Sequence, residues 1–240
     1  MPVAVVSRPL PYVLESWIRR LDMTGTVTVI DYGSGNLRSV QKALERAARE
    51  IDLNADIQLS DDPVRISRSD RLVLPGVGAF SACKEGLLAC DGVLDAMTDH
   101  VHAHGRPFLG VCVGMQLLAS RGHEFGVHEG LGWVPGDVRR FDAEMELPVP
   151  HMGWQEVTWD PSHEAWSRPG LAYIRTSEYY FLHSFHFVPE TPAHCLAECR
   201  YGRPFCAAVG RDNILGVQFH PEKSQSAGIS LLKRFLTWSP

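Results

Sequence analysis

An apolar run, Pro107-Phe108-Leu109-Gly110-Val111, leads into Cys112 and then into Val113-Gly114-Met115-Gln116-Leu117-Leu118-Ala119. This junction narrows the possible folds more than any other segment. The run reads as a short buried strand and residues 115–120 as the start of a helix, so Cys112 stands on a sharp strand-to-helix turn. Backbones crowd at such a turn, and Gly110 and Gly114 remove the side chains that would collide there. The helix N-terminus also favours thiolate over thiol, through its unpaired N–H groups and its dipole.

The same alternation recurs along the chain. Val27-Thr28-Val29-Ile30 precedes a helical pattern at about 39–49, and Leu72-Val73-Leu74 precedes one at about 83–98. This βαβ spacing predicts an α/β fold with a parallel sheet and helices on both faces. Right-handed crossovers would bring Cys112 to the carboxyl edge of that sheet, where such folds bind ligands. After Gly130 the pattern changes to shorter alternating strands carrying Trp133, Trp154, Trp159 and Trp166, which predicts an antiparallel portion on the same core. Residues 228–238, with Ile229, Leu231, Leu232, Phe235 and Leu236, have the spacing of a helix that covers the sheet. No repeat or low-complexity linker divides residues 25–240. Residues 1–24 differ in kind, with three prolines and a possible short amphipathic helix at 14–21, and read as an N-terminal extension of unknown role.

Composition excludes several functions. A formal charge of −5 leaves no electrostatic footprint for nucleic acid or an anionic membrane, and no apolar stretch approaches the length of a membrane span. The six cysteines follow no disulfide framework. His194, Cys195, Cys199 and Cys206 do not have the spacing of a zinc site and read as alternate positions of half-buried strands. No metal or cofactor is expected.

About a hundred residues after Cys112, Gly216-Val217-Gln218-Phe219-His220-Pro221-Glu222 supplies a base and a carboxylate. A cysteine nucleophile, a histidine that moves its protons and an acid that orients the histidine form a spatial triad, and this separation suits one. The two segments resemble the class I glutamine amidotransferases. That resemblance implies a flavodoxin-like α/β fold, a mostly parallel central sheet flanked by helices with an antiparallel portion. It also implies the chemistry: Cys112 attacks the glutamine amide, His220 shuttles protons, Glu222 holds its tautomer, and a glutamyl thioester is hydrolysed after ammonia leaves. Acid–base assistance contributes about 10²–10⁴-fold, so oxyanion stabilisation must supply much of the rest.

The strand-ending Leu74-Pro75-Gly76-Val77-Gly78 matches the family's oxyanion turn, which makes Gly76, Val77 and Gly78 its candidates together with Val113 after the nucleophile. The resemblance further implies that Gln116, Glu124, Ser184 and Phe185 bind substrate. Asp31-Tyr32-Gly33-Ser34-Gly35-Asn36, Pro150-His151-Met152-Gly153-Trp154 and Tyr180-Phe181-Leu182-His183-Ser184-Phe185 narrow the likeness to the glutaminase subunits of imidazole glycerol phosphate synthase, from about residue 26 to 236. Gln155 and Phe185 depart from that family's usual asparagine and tyrosine. The narrower resemblance implies a cytoplasmic heterodimer with a cyclase subunit of histidine biosynthesis, with Met152, Trp154 and Tyr180, beside His183 and Ser184, at the contact face. Two other functions keep part of this pattern. A free-standing cysteine hydrolase such as a gamma-glutamyl hydrolase would act without a partner, and a silent regulatory subunit would have lost a triad residue.

Overall fold

The computed structural model of the 240-residue chain describes residues 25–33, 35–141, 147–160 and 174–240. The extension at 1–24, its helix at 14–21 and Trp166 lie outside the described residues. Five parallel strands form the centre in the order β2 (Ala55–Ser60), β1 (Gly25–Ile30), β3 (Arg71–Gly76), β4 (Phe108–Cys112) and β13 (Ile214–Val217). Leu72, Val73, Leu74, Phe108 and Leu109 are fully buried. A parallel strand covered on both faces needs such a continuous apolar run, which is why these strands were legible without alternation.

Beyond β13 the sheet turns mainly antiparallel. It continues through β12 (Arg203–Arg211), β10 (Phe185–Pro189) and β7 (Gly136–Arg140), then the two-residue β5 (Arg121–Gly122) and β6 (His128–Glu129), all antiparallel except where β5 pairs β7 in parallel. From β12 a branch runs through β11 (Cys195–Tyr201) to the hairpin partners β8 (His151–Trp159) and β9 (Ser177–His183). The cysteines considered for zinc lie on β11 and β12.

Among the described residues six α-helical segments accompany the strands: α1 (Leu37–Arg49), α2 (Pro63–Arg68), α3 (Phe80–Ala89), α4 (Val93–Thr98), α5 (Val113–Gln116) and α6 (Gln225–Thr237). Helix α6 buries Ile229, Leu231, Leu232, Phe235 and Leu236 and packs beside α1. Arg71 at the start of β3 donates to the carbonyls of Phe235 (3.2 Å) and Trp238 (2.9 Å), so a cation closes the C-terminal end of that helix.

Three local expectations are corrected. The single helix expected at 83–98 is two, α3 and α4, because the chain turns at Gly92 (φ 72°), a left-handed conformation that glycine adopts at little cost. The helix expected at 115–120 is one turn, α5. The carbonyls of Leu117, Leu118 and Ala119 accept from Leu131, Val134 and Gly132 in the returning chain, which bends the segment out of helix. The sequence reading also passed over β2 and α2. Strand β2 is a half-exposed edge strand with mixed polar residues, whereas α2 carried a readable start signal, Asp62-Pro63, whose carboxylate accepts from the Val64 N–H at 2.8 Å.

The junction around Cys112 is the tightest place in the fold. A Cβ at Gly110 would lie 2.6 Å from the Gly114 carbonyl oxygen, one at Gly76 would lie 2.6 Å from the Gly114 nitrogen, and one at Gly114 would overlap the Leu74 carbonyl. All three collisions are with backbone, which cannot swing aside. Gly114→Ala is therefore expected to cost more than about 3 kcal/mol, whereas Gly132→Ala, at φ 69° with open space around it, should cost about 1 kcal/mol. Urea unfolding of the two variants measures the difference.

Candidate active site

Cys112 ends β4 with φ 55° and ψ −112°, a left-handed backbone that a residue with a side chain adopts only when its surroundings hold it there. The glycine contacts supply that hold. Because α5 has only four residues, the aligned helix dipole expected at this sulfur is small. Gln218 directs its amide at the Cys112 sulfur at 3.8 Å, and His220 lines the same cavity as that sulfur.

Strand β13 ends at Val217, and the chain bends through Gln218 and Phe219 into His220. Pro221 then opens a short 3-10 turn, Pro221–Lys223. That turn folds Glu222 back beneath the imidazole, where its Oε1 lies 2.9 Å from His220 Nδ1, with both side chains almost fully buried. Burial works against an imidazolium here, but hydrogen bonds and attraction from Cys112 and Glu222 outweigh it and push the His220 pKa up to about 10. The ring is thereby a cation at neutral pH, held by the Glu222 carboxylate on one side and lining the cavity over the Cys112 sulfur on the other. The backbone fixes it too: the His220 N–H donates to the Tyr180 carbonyl at 2.9 Å, and Ser224 Oγ donates to the His220 carbonyl at 2.6 Å.

A cavity of about 250 Å³ opens over Cys112 and is lined by ten of the residues singled out from sequence: Val77, Gly78, Cys112, Val113, Gln116, Glu124, His183, Ser184, Phe185 and His220. Gly76 does not line it; it is paired in register with Cys112 and packs against α5. The Pro75-Gly76-Val77-Gly78 turn is anchored from both sides. Tyr32 Oη donates to the Pro75 carbonyl at 2.6 Å, and the Cys83 thiol donates to the Val77 carbonyl at 3.2 Å. Glu124 accepts from the Phe80 N–H at 2.7 Å, at the head of α3. Gln116 is buried and its amide donates to the Phe185 carbonyl (2.9 Å) and to Gln218 Oε1 (3.0 Å).

The expected contact face divides by strand parity. Met152 and Trp154 on β8 pair with Leu182 and Tyr180 on β9, so these four side chains share one side of the hairpin. Met152 is 67% exposed and Trp154 43%, and the Trp154 and Tyr180 rings meet edge to face. His183 is corrected. Three residues from Tyr180, it points to the opposite, buried side, where Nε2 meets His151 Nδ1 at 3.1 Å and Nδ1 donates to the Phe185 carbonyl at 2.8 Å. Sequence reasoning also passed over Gln218, which lies just past the end of β13. It passed over His151, Tyr32 and Cys83 as supports, for which no local signal exists.

A family profile described as "Glutamine amidotransferase class-I" matches residues 28–238. The chain belongs to the class I glutamine amidotransferases. Within this family it is 50% identical over 216 residues to "Imidazole glycerol phosphate synthase subunit HisH" of Rhodospirillum rubrum, a match covering 89% of this chain and 99% of that one. It is 48% identical to the protein of the same name in Rhizobium meliloti, again over 89% and 99% of the two chains. At this level of identity and coverage the chain belongs to that narrower family as well. Solved structures share the fold at lower identity. "Crystal structure of glutamine amidotransferase" has a TM-score of 0.66 at 19% identity, covering 88% of this chain and 97% of that one. A glutamine amidotransferase from Thermotoga maritima has a TM-score of 0.54 at 15% identity, over 82% of this chain and 76% of that one.

The buried histidines of this amidotransferase give it a pH signature. Burial pushes His151 down to about 4 and His183 to about 3, so both remain neutral in the fold at pH values where an unfolded histidine, near 6.5, is charged. Protons therefore favour the unfolded chain, and stability should fall on acidification from about pH 6.5 towards 4, by at most about 1.4 kcal/mol per pH unit for each histidine. His183→Asn should lower stability at pH 7 yet flatten that slope, as measured by urea unfolding at several pH values.

Proposed function

We propose that this chain is the glutaminase subunit of an imidazole glycerol phosphate synthase, with Cys112, His220 and Glu222 as its catalytic triad. The observation that carries the reading is the buried Cys112–His220–Glu222 array on the wall of a cavity, in a chain about half identical to proteins named as subunits of that synthase.

In this mechanism His220 takes the proton of Cys112, and the sulfur bonds to the carboxamide carbon of glutamine as the carbonyl π bond opens. The carbonyl oxygen takes the negative charge and is met by backbone N–H groups of the Gly76-Val77-Gly78 turn and of Val113. Each such donor is worth roughly 3–4 kcal/mol in the transition state. The His220 imidazolium passes its proton to the departing nitrogen, ammonia leaves, and a glutamyl thioester remains on Cys112. Water, giving a proton to the now neutral imidazole, attacks the thioester. The thiolate is expelled and glutamate is released. Glu222 keeps the ring in the tautomer that presents Nε2 to the sulfur. Gln116, Glu124, Ser184 and Phe185 hold the substrate's distal groups.

The ammonia passes to a cyclase subunit, which forms imidazole glycerol phosphate and aminoimidazole carboxamide ribotide in histidine biosynthesis. The exposed Met152, Trp154 and Tyr180 side of the β8–β9 hairpin is the docking face for that subunit in a heterodimer. Six free thiols suit a reducing cytoplasm, and no helix among the described residues is long and apolar enough to cross a membrane.

Two experiments test this reading. Cys112→Ala should abolish glutamine-dependent synthesis by the reconstituted pair and leave synthesis from ammonium salts intact; loss of both would contradict ammonia transfer through this residue. Glutamate release should be low for the chain alone and rise strongly with the cyclase and its nucleotide ligand. High release by the chain alone, unchanged by the cyclase, would make it an independent gamma-glutamyl hydrolase instead.

A further inference from the structure

Asn36 precedes α1 in the position where asparagine ordinarily caps a helix, yet its side chain makes no capping hydrogen bond. It adopts a left-handed backbone, φ 71° and ψ 8°, and its amide donates instead to Glu222 Oε1 at 2.6 Å, across 186 residues of sequence. That oxygen is the one facing His220 Nδ1, and Glu222 Oε2 has no hydrogen-bond partner among the described residues. The carboxylate is therefore held by one oxygen from two sides. With the amide removed, only the imidazole itself would resist rotation of the carboxylate about its own bond.

The geometry points to Asn36 as a positioning residue of the triad, one that acts through Glu222 rather than on substrate. It contributes direction and no net charge. An amide donor stabilises the ionised carboxylate without adding a cation that would compete for it with the imidazolium. The held carboxylate fixes the imidazole, and the fixed imidazole serves the Cys112 sulfur. The inference rests on the triad reading above, but its test does not require that glutamine be the substrate.

The measurement is the rate of Cys112 alkylation by iodoacetamide at pH 7, resolved from the other cysteines by peptide mass spectrometry, on the full chain. Asn36→Gly removes the amide and relieves the left-handed backbone, so the fold is not strained by the change. The rate should fall roughly tenfold, the scale on which supporting residues act through the groups they orient. In a Glu222→Ala background the same change should cost nothing further, because the residue it acts through is gone. Asn36→Asp keeps the shape and sets a second carboxylate against Glu222, and should lower the rate at least as far. Wild-type rates in both Asn36 variants would overturn the inference, and so would an equal fall with and without Glu222, which would assign Asn36 a purely structural role. In glutamine turnover the loss should appear in kcat with KM nearly unchanged. Absence of glutamate release even from the wild-type complex would refute the glutaminase reading, while the alkylation rates still decide the role of Asn36.

Discussion

Everything at this site depends on how closely two strand ends approach. The last residues of β3 and β4 run side by side, and the first turn of α5 is pressed against both with no side chain at Gly76, Gly110 or Gly114 to separate them. Packing that dense is rigid, and rigidity is what holds Cys112 in a backbone conformation it would otherwise leave. The same contact sets the Pro75-Gly76-Val77-Gly78 turn beside the sulfur. Nucleophile and candidate oxyanion donors thus share one constraint, and neither can be moved without the other.

Onto that fixed edge the C-terminal segment brings a triad whose supports come from distant elements. His220 is tied to β9 through the Tyr180 carbonyl, Glu222 to the start of α1 through Asn36, and Gln218 to Gln116 beneath the cavity. The Tyr180 link gives the outer hairpin a mechanical connection to the base. The side of β9 that exposes Leu182 and Tyr180 belongs to the same strand whose backbone carries His220, so a partner seated there would press on the strand that aims the imidazole.

Much of this was legible in the sequence because the features are local or periodic. The flanking glycines announced the close approach at Cys112, continuous apolar runs announced the central strands, and the separation of about a hundred residues between Cys112 and the His220–Glu222 pair suited a spatial triad. What was not legible depends on long-range closure. The shortness of α5 follows from carbonyls captured by residues 130–134, which no window around Met115 could reveal. The inward turn of His183 follows from strand parity, readable once Tyr180 is known to face outward and hidden while its neighbours are treated as one patch. The contact between Asn36 and Glu222 joins opposite ends of the chain, and an asparagine before a helix reads locally as a cap.

The claim on which the rest stands is that glutamine is broken down on the Cys112 sulfur. Its most direct test is to quench the complex in acid during glutamine turnover and examine the Cys112 peptide by mass spectrometry. The account predicts a glutamyl thioester on Cys112 that disappears once glutamine is exhausted. An unmodified Cys112 in samples that are producing glutamate, with the adduct absent or on another residue, would contradict it.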